Sequence, residues 1–191
     1  MAKNIILVAG TPGSGKTTVL KGIGTSFNST IVNMGTMMLE VAQKLGYVTD
    51  RDQLRSLDLK KFNEVRSKAL DEIEEMDGNI IIDTHASIEE NGRYMPGLPK
   101  IFLDHLGHVK GLIYIYATTK DIIVRRASDT TRKREDDDEA TVDAQRFINI
   151  SVLSFASTYL NIPLYVVVNR HGELEKAVDE VKRRVKEVIG D

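Results

Sequence analysis

Asn4-Ile5-Ile6-Leu7-Val8-Ala9 runs without a break into Gly10-Thr11-Pro12-Gly13-Ser14-Gly15-Lys16-Thr17-Thr18. The first six residues read as a strand buried on both faces, being almost wholly apolar with no polar alternation. The next nine satisfy G-x-x-x-x-G-K-[ST], placed between a strand and a segment of helical period as that motif requires. Its glycines allow unusual dihedrals and close backbone approach, so successive N–H groups can point inward at phosphate oxygens. The helix that follows, from about Gly15, offers its positive N-terminus to the same anion. In that geometry Lys16 bridges the β- and γ-phosphates of a nucleoside triphosphate, and the Thr17 hydroxyl holds Mg2+.

Outward from this loop, further Ile- and Val-rich runs are expected as strands at Thr30–Asn33, Asn79–Asp83, Leu112–Ala117 and Leu164–Val168. Between them, 60–76 sets Phe62, Val65, Ala69, Leu70, Ile73 and Met76 on one helical face. Glu173–Ile189 does the same with Leu174, Ala177, Val178, Val181, Val185 and Val188. The helix 140–159, rich in Phe147, Ile148, Val152 and Phe155, is expected in the core, with one face available as an interface between copies. This alternation predicts a P-loop NTPase fold: an α/β, doubly wound, parallel five-stranded sheet with helices on both faces. Gly 14 and Pro 4 in 191 residues leave no stretch that reads as a flexible linker, so one domain suffices. Two excursions interrupt the pattern, at about 35–77 and at 129–139.

The composition narrows the function. Lys+Arg 26 against Asp+Glu 28, with a net charge of -2, gives no basic face for nucleic acid. Cysteine is absent, which excludes disulfides, zinc–thiolate sites and thiol nucleophiles. Met1–Ala9 is short for a signal segment, and no apolar run approaches the roughly 20 residues of a membrane span. An intracellular protein with neither membrane nor nucleic-acid partner is the expectation.

The third strand closes on Asp83, where a carboxylate beside the phosphate loop can reach Mg2+. A GTP switch needs a base-reading N-K-x-D element, and Val168-Asn169-Arg170-His171 lacks the aspartate. Motor and AAA-type ATPases usually run longer, so a small-molecule kinase leads. Such an enzyme must screen its reactive phosphate from water. The segment Asp129-Thr130-Thr131-Arg132-Lys133-Arg134-Glu135-Asp136 could cover it, with Arg125, Arg126, Arg132 and Arg134 neutralising the transferring phosphoryl group. The acids 136–139 suit the start of the next helix. In the other excursion, Arg51 or Arg55 could clamp an acceptor phosphate. Met34, Met37 and Met38 are either core or an adaptable wall for a purine. His105, His108 and His171 have no partner spacing and are expected at the surface.

GTPGSGKTT at 10–18, NMGTMM at 33–38, DRDQLR at 50–55, IIDTHASI at 81–88, GRYMPGLP at 92–99 and DTTRKRED at 129–136 together resemble the archaeal-type adenylate kinases, in their order and over nearly the whole chain. That resemblance implies reversible transfer of phosphate from Mg·ATP to AMP, giving two ADP. It implies a core at 1–33, 79–128 and 140–191, an AMP-binding subdomain at 34–78 and a short lid at 129–139. It also implies a cytoplasmic homotrimer. Gly10, Thr11, Pro12, Gly13, Ser14, Gly15, Lys16, Thr17 and Thr18 would bind ATP, joined by Arg132 or Arg134 from the lid. Lys16, Arg132 and Arg134 would be catalytic, and Thr17 and Asp83 would serve Mg2+. Thr36, Met38 and Arg55 would line the AMP site, with His85 and the 92–99 loop close by. Where bacterial and eukaryotic relatives carry D-G-[FY]-P-R, this chain reads Asp83-Thr84-His85-Ala86, so Arg55 or Arg93 must replace the missing arginine. With no cysteine there is no zinc lid. The alternatives are a kinase for CMP, UMP or a non-nucleotide such as shikimate, and an adenylate-kinase-like ATPase acting as an assembly factor.

Overall fold

The structure is a computed structural model that describes residues 3–24, 26–90, 92–128 and 138–190, without the side chains of Arg55 and Glu90. Five strands, β1 (Asn4–Gly10), β2 (Ser29–Asn33), β3 (Asn79–Asp83), β6 (Val109–Tyr116) and β7 (Leu164–Val168), form one parallel sheet in the order β2-β3-β1-β6-β7. All five expected strands are present, shifted by at most a few residues. β1 sits at the centre, where the strand order reverses direction. A crevice outside the carboxyl ends of the strands opens at such a reversal, and that is where ligands bind in sheets of this kind.

The strands lack polar alternation because each face has its own helical cover. Ile5, Leu7, Ala9, Ile80, Ile82, Leu112 and Tyr114 pack on one side. They meet residues of α2 (Met34–Lys44), α4 (Leu59–Glu74), α5 (Lys100–His105) and α7 (Glu139–Leu160). Ile6, Val8, Ile81, Ile113, Ile115 and Val167 face the other way, onto α1 (Lys16–Ile23) and α8 (Leu174–Ile189). The expected faces of α4 and α8 are the buried ones: Val65, Ala69, Leu70 and Ile73, and Ala177, Val178, Val181 and Val185. A satellite cluster joins Ala117, Ile122 of α6 (Thr119–Ser128) and Val142 of α7.

Side-chain caps fix the helix starts in the first excursion. Asp50 accepts from the N–H groups of Asp52 and Gln53 to open α3 (Arg51–Arg55), and Asp58 accepts from Lys61 N–H to open α4. Asp138 caps α7 by accepting from Thr141 N–H at 2.6 Å, so the acidic run does end in a helix start. Asp136 and Asp137 lie outside the described residues.

Two expectations are corrected and one element is added. The helix 140–159 does not bury its aromatics: Phe147 is 73% and Phe155 58% exposed, while Gln145 and Asn149 are buried. The inner face of α7 buries Val142, Leu153 and Ala156, but between them it carries Gln145, which holds Arg126, and Asn149, which bonds Thr11 of the phosphate loop. His105 is half-buried, with Nε2 2.8 Å from Asp71 Oδ1 on α4, rather than a free surface residue. Finally, β4 (Ser87–Glu90) and β5 (Arg93–Pro96) form an antiparallel hairpin that the apolar runs did not reveal.

Candidate active site

The loop between β1 and α1 is held in shape from behind. Ser14 N–H donates to Thr11 O at 2.8 Å, closing its turn, and Gly13 and Gly15 take φ of 91° and 84°. Gly15 is doubly constrained, since an added Cβ would lie 2.4 Å from Asn169 Nδ2. We expect Gly15→Ala to lower the melting temperature by about 2–8 °C, from the left-handed cost of about 1–2 kcal/mol. Binding of Mg·ATP, read by calorimetry, should weaken about tenfold as the loop shifts. Unchanged affinity and melting would contradict this account of the loop.

Three side chains supply the support from behind. Arg126, buried, donates to Pro12 O from Nε at 3.0 Å and from Nη2 at 2.8 Å, and from Nη2 to Gln145 Oε1 at 2.9 Å. Arg125 donates to Ser14 O at 3.0 Å and to Asn169 O at 2.9 Å. Asn169 Nδ2 donates to Ser14 O at 2.8 Å. With the carbonyls of Pro12 and Ser14 bound from outside, the N–H groups not used within the loop are left to the crevice. The structure thus separates Arg125 and Arg126 from the covering role expected for the arginine cluster: both grip the loop itself. Asn169, set aside because no aspartate follows it, belongs to the same support. A polar residue directly after an apolar edge strand was its only signal.

Lys16 opens α1 and is buried at 8% exposure, paired with the carboxylate of Asp83 at the end of β3. Burial pushes its ammonium down to about 8. An ammonium so desolvated gains most when a polyanion enters beside it. Asp83 Oδ2 accepts from Asn33 Nδ2 at 2.8 Å, and Asn33 Oδ1 accepts from Thr36 N–H at 2.9 Å, capping α2. Thr36 Oγ1 accepts from Arg51 Nη2 at 3.0 Å. A continuous polar line therefore runs from the phosphate loop through Asp83 and Asn33 to the excursion that begins at residue 34.

Thr17 and Asp83 line one cavity of about 370 Å3 with Leu20, Lys21, Gly24, Ser29 and Ile31. Among the described residues no three His, Asp or Glu side chains gather as a metal cage. One carboxylate and one hydroxyl is a donor set that fits Mg2+ carried in on nucleotide phosphates, because that ion keeps oxygen ligands from water and phosphate.

Of the expected acceptor residues, Thr36 is placed on this line. Met38 is 7% exposed within the apolar cluster of α2 and α4. His85 is exposed just beyond β3, with Gly97 of the 92–99 loop so close that an added Cβ would meet its carbonyl oxygen. Arg55 ends α3, its side chain outside the described residues, as are Arg132 and Arg134 entirely. Sequence reasoning also passed over Arg66, whose buried guanidinium stacks on Phe62 at 4.8 Å and donates to Asn63 Oδ1 at 3.3 Å.

Central strand, phosphate loop, buried lysine and strand-end aspartate define a P-loop kinase fold. Shikimate kinase from Bacteroides thetaiotaomicron superposes with a TM-score of 0.61 at 16% identity, covering 98% of this chain and 99% of that one. Shikimate kinase from Acinetobacter baumannii in complex with shikimate gives 0.61 at 15%, covering 98% and 93%. At those identities the likeness is one of fold. A family model described as AAA domain matches residues 9–143. Adenylate kinases of Methanothermobacter thermautotrophicus and Thermoplasma volcanium are each 34% identical over 180 residues, spanning 93% and 94% of this chain and 97% and 98% of theirs. That of Methanocaldococcus jannaschii is 32% identical over 190 residues, 95% of this chain and 97% of its own. The chain belongs to the adenylate kinase family, and it is an enzyme of the nucleoside monophosphate kinase class.

Proposed function

We propose that the enzyme transfers the γ-phosphoryl group of ATP reversibly to AMP, giving two ADP. The observation that carries this reading is 32–34% identity to adenylate kinases over nearly the full chain. The polar line from Lys16 through Asp83, Asn33 and Thr36 to Arg51 supports it by connecting the phosphate loop to the excursion in which the acceptor residues Thr36 and Arg55 lie.

In this mechanism an AMP phosphate oxygen attacks the γ-phosphorus in line, and the bond to the ATP β-phosphate oxygen breaks. The nucleophile is already an anion at neutral pH, so no general base is required. Catalysis is positioning and charge neutralisation. The loop Gly10–Thr18 holds the ATP phosphates, with backbone N–H groups as donors except at Pro12, which has none, and Lys16 draws off charge from the β- and γ-oxygens. Thr17 and Asp83 would hold Mg2+, which supplies electrostatic stabilisation of the phosphate oxygens when bound. Thr36, Met38 and Arg55 line the AMP site in the subdomain 34–78, with His85 close to it from the core. Arg132 and Arg134 close over ATP from the lid 129–139.

The test is ADP formation from Mg·ATP against AMP, CMP, UMP, GMP and no acceptor. Turnover with AMP alone is expected. Preference for CMP or UMP would replace the acceptor, and acceptor-independent hydrolysis would favour an ATPase serving a partner.

We further propose a homotrimer in the cytoplasm, as the resemblance to archaeal-type adenylate kinases implies. Phe147, Phe155 and Tyr159 on α7 and Val166 and Val168 on the edge strand β7 are large apolar side chains left exposed in one copy, which supports self-association. No described helix is long and apolar enough to cross a membrane. Sedimentation velocity should give about three times the mass of one chain, and Phe155→Asp should lower it. A monomeric wild type would remove the trimer.

A further inference from the structure

Behind the phosphate loop lies a buried hydrogen-bond network that the mechanism above does not use. Asn149 of α7 is 3% exposed. Its Nδ2 donates to Thr11 Oγ1 at 3.1 Å. Its Oδ1 accepts from the Ser87 backbone N–H at 3.1 Å and from the Ser87 hydroxyl at 2.7 Å. Thr11 Oγ1 also shares a hydrogen bond of 2.7 Å with the Tyr114 hydroxyl from β6. Thr11, Tyr114, Ser87 and Asn149 are all buried.

The two ends of this network belong to different halves of the reaction. Thr11 is the second residue of the loop that cradles the donor's phosphates. Ser87 opens β4 directly after Asp83-Thr84-His85-Ala86, and Gly97 N–H donates to Ala86 O at 2.8 Å, fastening β5 to the same segment. The hairpin therefore cannot shift without moving the residues around His85. Asn149 bridges this unit to the loop through one planar amide, which offers its donor and its acceptor in fixed relation. Packing alone does not call for an amide here, because Leu153 and Ala156 fill the same helix face further along with apolar groups. A buried amide is retained where its bonds offset its desolvation, and this one has partners on both sides.

We propose that Asn149 is a positioning residue that couples the donor loop to the acceptor-side hairpin, so that the two phosphates meet in line. This rests on the adenylate kinase reading. In-line transfer is intolerant of misplacement, and a shift of about 1 Å can cost on the order of 100-fold in rate. Removing the bridge should thus act on the chemical step far more than on either binding step.

The experiment compares wild type with Asn149→Leu, of similar size but unable to bridge. Circular dichroism establishes folding. Calorimetry gives Kd for ATP and AMP separately, and a coupled assay gives kcat for ADP formation. We expect kcat to fall by about 10- to 100-fold while each Kd changes by less than about threefold. An unchanged kcat overturns the proposal, as does a fall in kcat fully matched by loss of both affinities. Should Asn149→Leu fail to fold, Ser87→Ala and Thr11→Val carry the test. Both act through Asn149, so their effects on kcat in the double variant must be less than multiplicative, and multiplicative effects overturn the coupling. Wild type without AMP-dependent ADP formation defeats the kinase reading itself; an active wild type equalled by Asn149→Leu defeats only this proposal.

Discussion

Lys16→Met is expected to lower kcat for ADP formation by about 10²–10³-fold while leaving the fold intact. The lysine is buried on the first turn of α1, and its ammonium is the one cation already paired with Asp83 at the floor of the loop among the ion pairs described there. Methionine keeps the length and the packing of the aliphatic stem. What it removes is the positive charge that must meet the β- and γ-oxygens as negative charge redistributes during transfer. The fold should tolerate the change because two effects oppose each other. Asp83 loses its ion pair yet keeps the hydrogen bond from Asn33 at 2.8 Å. At the same time a desolvated ammonium, held down to about 8 by burial, is no longer buried. Circular dichroism with steady-state kinetics checks both halves. Turnover like that of wild type would remove Lys16 from the mechanism.

Arg132→Ala and Arg134→Ala carry the second large effect. The lid is read from sequence, since residues 129–137 lie outside the described structure. Guanidinium groups delivered over a transferring phosphoryl group contribute about 10³–10⁵ in kcat in P-loop GTPases, where the charge to be neutralised is of the same kind. Arg125 and Arg126 cannot substitute, because both are engaged with the backbone of the loop at Pro12 and Ser14. At least one of the two alanine variants should therefore lose about 10³-fold in kcat, with a much smaller change in the KM for AMP. If neither slows the reaction, the lid does not carry the charge.

Most of the sheet was legible because parallel strands covered on both faces must be apolar throughout. Asn79–Asp83 matched to the residue. Val109–Tyr116 began three residues before the expected start, where Lys110 and Gly111 break the apolar run. The β4–β5 hairpin escaped notice because Ser-Ile-Glu-Glu and Arg-Tyr-Met-Pro carry little apolar signal. The Asn91-Gly92 pair between them was the available clue, being the strongest short-range sign of a two-residue hairpin turn.

The site divides along the same line. The phosphate loop, Lys16 and Asp83 were readable because their chemistry demands residue types at fixed spacing along the chain. The supporting roles of Asn169, Gln145, Asn149 and Arg126 were not, since their partners lie 19 to 155 residues away. The apolar content of 140–159 pointed to the core, with an interface face as the other option, and it could not tell that Phe147 and Phe155 face outward. Part of that face instead carries Gln145, which accepts from Arg126, and Asn149, which bonds the Thr11 hydroxyl and Ser87.

The most direct test of the account starts from a single nucleotide. The purified protein is incubated with Mg2+ and ADP alone, and the products are resolved by ion-exchange chromatography. The account predicts ATP and AMP appearing in equal amounts until equilibrium, because two ADP molecules occupy the donor and acceptor sites together. No consumption of ADP, or AMP accompanied by inorganic phosphate without ATP, would contradict it.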